Sequence, residues 1–192
     1  MIITCGGAEL YKEKHIVLAI LLFFIGVVLG SLGSESLPLG LGVTGFWPAV
    51  VVQVAGSLWL GVLGVIIGAV FPFVSNTYAG APLIASLLYL PSNIVQGLIP
   101  YLVFKYLHLD PSLHDPRSFA HFLWSGILLN NALGAVLATC LVIASGLHLF
   151  ADPAVFARTW FLGNVIPMIF IGIPTLWFIT PLLEKAGMIV KR

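Results

Sequence analysis

From Leu18 to Phe104 the chain runs almost without interruption through Val, Leu, Ile, Phe, Ala and Gly, and Glu35 is the only side chain there that is charged near neutrality. The apolar runs are continuous rather than alternating, and several reach the roughly 20 residues a helix needs to cross a bilayer core. Only helices and closed barrels pair all their backbone groups in lipid, and a barrel would show alternation, so helices are expected. Polar and Pro/Gly interruptions divide the pattern into six spans. The first runs from Ile16 to about Gly33 and is ended by Ser34-Glu35-Ser36-Leu37-Pro38. Leu39 to Asn76 is too long for one helix and barely long enough for two. Pro48 and the cluster of Gly56-Ser57, Gly61 and Gly64 split it into a short helix near Leu41 to Ala55 and another near Trp59 to Val74. Asn76 to Pro82 is a turn by composition. A fourth span, Leu83 to Leu107, contains Pro91 and Pro100. The polar loop His108 to Arg117 follows, then a fifth span from Phe119 to about Ser145 and a sixth from about Phe156 to Leu183, with Pro167 and Pro174 inside it. The expected architecture is an all-α polytopic membrane bundle of six transmembrane helices, the second and third short, forming a single domain over residues 1–192.

Charge placement supports six spans over five. Charged residues are 8% of the chain, against about 25% in soluble domains. With six spans and a cytoplasmic N-terminus, Lys12, Lys14, Lys105, Arg117, Lys185, Lys191 and Arg192 fall on the cytoplasmic side and only Arg158 falls outside, as the positive-inside tendency requires. Reading Leu39 to Asn76 as one crossing moves the later loops to the other side and loses this bias. The expected location is the cell membrane, multi-pass, with both termini cytoplasmic. Lys12, Lys14, the run Ile16 to Gly30 and Ser31-Leu32-Gly33-Ser34 also resemble a secretory signal, but Glu9, Glu13 and the length of the run favour a retained first helix. The net charge of +1 gives no attraction to nucleic acid.

Catalytic patterns are absent. There is no GxSxG, HExxH, P-loop or paired intramembrane carboxylate. The histidines and acids fall at span edges or in loops, and Cys5 and Cys140 are far apart with no metal-ligand spacing. No catalytic residue, metal or cofactor is therefore expected, and the chain does not read as an enzyme. The suggestive set is neutral: Gln53, Asn93, Gln96, Asn130, Asn131 and Asn164 lie in predicted spans, where an unpartnered carboxamide is costly and should face the bundle interior. Asn93 and Gln96 share one side of a helix. Asn130 and Asn131 are adjacent, so one is expected to face a cavity while the other bonds a neighbouring helix. These amides either line a small-molecule cavity or tie helices together. Trp47 and Trp160, each beside Pro- or Gly-containing polar sequence, are the tryptophans best placed to flank a ligand at the outer side. Gly26 and Gly30 form GxxxG in the first span, a face for close packing inside the bundle or for docking another membrane subunit.

The small-residue face of span one, the short second and third spans joined through Gly56-Ser57-Leu58-Trp59-Leu60-Gly61-Val62-Leu63-Gly64, and the near absence of soluble mass resemble the substrate-binding S-components of energy-coupling-factor vitamin transporters. Gly26 and Gly30 stand where many S-components carry an alanine-based docking motif. Trp47-Pro48, the stretch Trp160-Phe161-Leu162-Gly163-Asn164 and the later Pro167 and Pro174 are similar to the membrane-associated sensor domains of bacterial histidine kinases and diguanylate cyclases, which more usually have an acid at the position of Asn164. The first resemblance implies a subunit that binds a vitamin-like ligand, with Trp47, Gln53, Asn93, Gln96, Asn131, Trp160 and Asn164 as candidate ligand residues. It would be energised by a separate transmembrane coupling protein and ATPases. The second implies a sensor or accessory subunit of a larger membrane complex, without transport or catalysis.

Overall fold

In the computed structural model, which describes residues 3–5, 8–36, 45–148 and 150–190, the chain forms six helical rods behind a short N-terminal hairpin. β1 (Ile3–Cys5) pairs antiparallel with β2 (Ala8–Tyr11), an element the apolar pattern did not announce. The rods are α1 (Glu13–Ser36), α2 (Ala49–Leu60), α3 (Val62–Tyr78), α4 (Leu83–Leu88) continued by α5 (Leu90–Tyr106), α6 (Pro116–His121) continued by a π-helical stretch into α7 (Asn130–Ala144), and α8 (Pro153–Pro167) continued by a second π-helical stretch into α9 (Ile173–Lys185). Four rods are long and apolar enough to cross a membrane, while α2 and α3 are shorter. The all-helical bundle with a short second and third helix is as the hydrophobic pattern predicts.

Boundaries differ where glycine was read as a breaker. The second helix starts at Ala49 and runs straight through Gly56-Ser57 to Leu60; the predicted start near Leu41 lies outside the described residues. Only Gly61 turns the chain, with φ +61°, a conformation that favours glycine because it has no Cβ. Gly64 and Gly68 serve close approach instead. A Cβ at Gly64 would run into the Gly56 carbonyl, and one at Gly68 would come within 2.8 Å of Gln53 Cγ. These pairings show α2 and α3 folded back on each other as an antiparallel helical hairpin.

The hairpin turn has its open backbone groups met from outside. Tyr11 Oη donates to the Leu60 carbonyl and accepts from Leu63 N–H, and Val190 N–H donates to the Trp59 carbonyl at 2.9 Å. Away from water such pairing is obligatory. Every residue of α2 is buried, as expected of a helix apolar on all sides, and the main core forms around it. A second cluster joins Ala85, Tyr89, Ala138, Val142 and Phe156 at the opposite end of the bundle.

Rod directions follow from the same contacts. Gly26 faces Phe71 and Gly30 faces Ser75, so α1 and α3 run parallel, both antiparallel to α2. Phe104 packs on Phe122 and Gln96 bonds Asn131, so α5 and α7 are antiparallel. Direction therefore alternates from rod to rod. Tyr11, the Gly61 turn, the 107–115 loop and the segment after Lys185 gather at one end, tied by Lys14 Nζ to the Ala186 carbonyl, Trp59 Nε1 to Thr180 Oγ1 and Thr180 Oγ1 to the Pro111 carbonyl.

Candidate functional site

Five of the six span amides form a buried layer across α2, α5 and α7. Gln53 Nε2 donates to the Gly68 and Asn93 carbonyls, both at 2.9 Å, and lies 3.4 Å from Asn93 Oδ1. Gln96 Nε2 donates to Asn131 Oδ1 at 2.7 Å, and Asn131 Nδ2 donates to the Ile127 carbonyl at 2.7 Å. Asn130 Nδ2 reaches the Gln96 carbonyl at 3.1 Å. Backbone carbonyls fix the orientation of the Gln53, Asn130 and Asn131 amides. Asn131 must donate to Ile127, which turns its Oδ1 toward Gln96 and makes Gln96 donate in turn. Gln53 is fixed likewise by its two carbonyl partners. Gln53 Oε1 and Gln96 Oε1 are left buried with no hydrogen-bond partner among the described residues.

The glycines make this layer possible. Gly68 and Gly134 admit the Gln53 and Gln96 stems, since a Cβ at either would come within 2.8 Å of the glutamine Cγ. Asn93 and Gln96, three apart on α5, serve opposite neighbours, Asn93 the hairpin and Gln96 the fifth rod. The expected division of labour between Asn130 and Asn131 does not hold, because both engage Gln96, one its backbone and the other its side chain. The two can share Gln96 because they reach different atoms of it, while the preceding π-helical stretch, Phe122–Leu129, shifts the register with which the whole of α7 faces α5.

The remaining candidates sit elsewhere. Trp47 is buried, stacks on Phe71 with centroids 6.1 Å apart, and donates its backbone N–H to the Gly163 carbonyl at 2.8 Å, which places it beside Asn164 in sequence. Asn164 is buried on α8 and its carbonyl takes the Met168 N–H. Trp160 packs edge-on to Tyr89 at 5.0 Å and against Phe156 at 5.9 Å; its indole Nε1 is buried without a partner among the described residues. Gly26 and Gly30 are filled from within the chain. A Cβ at Gly26 would come within 2.7 Å of the Phe71 ring and one at Gly30 within 2.5 Å of Ser75 Oγ, so close packing inside the bundle accounts for this face. Among the described residues no group of three His, Cys, Asp or Glu is placed to hold a metal ion.

Sequence reasoning missed an apolar groove between α1 and the last rod, floored by α2 and holding about 350 Å³. None of the candidate ligand residues lines it, and its lining is so uniformly aliphatic that no local signal marks it. No family model, curated protein or solved structure matches this chain.

Proposed function

We propose that this chain is the membrane-embedded, small-molecule-binding subunit of an uptake transporter of S-component type. The observation that carries the reading is the pair of buried carbonyl oxygens, Gln53 Oε1 and Gln96 Oε1, without a hydrogen-bond partner among the described residues, on the two helices at the centre of the amide layer. A buried acceptor left open costs about 1–3 kcal/mol. A ligand bearing N–H or O–H donors recovers that cost, and the neighbouring Asn93 and Asn131 add donors and acceptors of their own. The chain has no nucleotide-binding motif, so uptake would draw on a separate coupling protein and ATPases. The end holding Lys12, Lys14, Lys105, Arg117 and Lys185 is assigned to the cytoplasm of the cell membrane, and the end near Arg158 to the outside. Native mass spectrometry of the mildly solubilised protein tests the reading. A small molecule should be retained by the wild type and lost in Gln53→Leu and Gln96→Leu, with ATPase and coupling subunits co-purifying. Absence of any bound small molecule from the wild type would overturn it.

A second reading, a sensor or accessory module, is favoured by the Trp47 N–H to Gly163 carbonyl bond. That bond joins the two segments that resemble the bacterial sensor domains. Co-purification of a kinase or cyclase in place of ATPases would select it.

A further inference from the structure

The groove beside α2 has the dimensions of one hydrocarbon chain. It extends along α1 from Leu18 to Leu29, about 17 Å at the helical rise, with Ile171 and Leu183 on the facing rod and Val52 and Ala55 beneath. Its volume of about 350 Å³ spread over that length gives a mean cross-section of roughly 20 Å², whereas a helix about 10 Å across needs roughly 80 Å². A whole helix cannot sink into it, and a single extended acyl chain can. Thr175 is the only lining residue with a polar side-chain atom apart from the indole of Trp59, whose Nε1 is committed to Thr180.

One end of the groove is bridged by a lysine. Lys14 lies one turn before Leu18 on the same stripe of α1, and its Nζ crosses to the Ala186 carbonyl at 2.8 Å, bridging the two helices that form the walls. Lys12 and Lys185 are exposed at the same end, together with Glu13, Glu184 and Asp110, the last acting on the Glu184 carboxyl, so the lysines meet a headgroup as individual N–H donors rather than as a net positive patch. We propose that the groove is a phospholipid site that takes one acyl chain and sets an anionic headgroup against Lys12, Lys14 and Lys185. The lysine end then lies at the headgroup level and the Leu29 end toward the middle of the bilayer.

The test uses the full chain reconstituted in bilayers of equal parts phosphatidylglycerol and phosphatidylcholine, then released into mild detergent for native mass spectrometry. The wild type should retain one phosphatidylglycerol in preference to phosphatidylcholine. Lys12→Gln and Lys14→Gln should each reduce that preference roughly fivefold, the scale of one lysine at an anionic headgroup, while the bound chain persists. Ala55→Phe should fill the groove and eject the lipid of either kind; Thr175→Phe fills it from the opposite wall if the first variant does not fold. Val28→Phe, on the exposed face of α1, should change nothing. Equal retention of the two lipids by the wild type, or undiminished lipid in a folded groove-filling variant, would overturn the proposal.

Discussion

Gly56 and Gly64 have the same composition signal and opposite tolerances. A Cβ at Gly56 would meet only Leu22 Cδ1, at an ordinary 3.5 Å, whereas one at Gly64 would strike the Gly56 backbone. Gly64→Ala should lower stability by about 1–3 kcal/mol, the usual cost of overpacking, and Gly56→Ala should leave the unfolding midpoint nearly unchanged; thermal unfolding in detergent compares them. The amide layer offers a second test at this scale. Gln96→Leu and Asn131→Leu should each cost about 1–3 kcal/mol by stranding the other's polar atoms, and the double variant should cost less than the two together because the partners share one bond. Full additivity in the double-mutant cycle would show that the 2.7 Å contact contributes nothing.

Two elements depend on single polar groups at their ends. The α2–α3 turn shares two hydrogen bonds with Tyr11 Oη, which donates to Leu60 and accepts from Leu63, and Tyr11→Phe should destabilise the protein by about 1 kcal/mol, with faster amide exchange at Leu63. A smaller change at Leu63 than at distant amides would count against the capping role. At the start of α6 the Asp115 carboxylate accepts from Ser118 N–H at 2.8 Å. Hydrogen bonding from Ser118, by its side chain and then its backbone, holds the Asp115 carboxyl below its ordinary range. A depressed carboxylate contributes stability that is fully present above the unfolded value, about 4, and is lost as pH falls through the lower folded value. Protection of the Ser118 amide, measured as its exchange relative to the intrinsic rate at each pH, should therefore fall on acidification below about pH 4, and Asp115→Asn, which keeps a capping oxygen without the charge, should remove that dependence.

For the whole molecule, alternating rod direction puts Arg117 and Ala186 at one end and Ala151 at the other. In a background lacking Cys5 and Cys140, Arg117→Cys and Ala186→Cys should respond alike to an impermeant thiol reagent on intact cells, both protected if that end is cytoplasmic, and Ala151→Cys should respond oppositely. All three positions are exposed. Labelling of Ala151→Cys together with either of the others would break the six-rod alternation.

The continuous apolar runs and the scarcity of charge in the sequence determined the all-helical bundle, the number of rods and the shortness of the second and third. Each of these is a local consequence of hydrophobic length and backbone pairing in lipid. The burial of the span amides was legible too, since a carboxamide facing lipid is too costly to keep. Their partners were not. Whether Gln96 meets Asn131, Asn130 or a ligand depends on the π-helical stretch before Asn130, and no residue in that stretch announces it. Glycine was the least legible residue, because the same side-chain absence serves a turn at Gly61, a backbone crossing at Gly64 and room for Gln96 at Gly134. Only the neighbouring helix decides which. The groove along α1 was invisible for a related reason: aliphatic side chains read alike in sequence whether they fill a core or line a gap, and the tertiary spacing of α1 and the last rod made the difference.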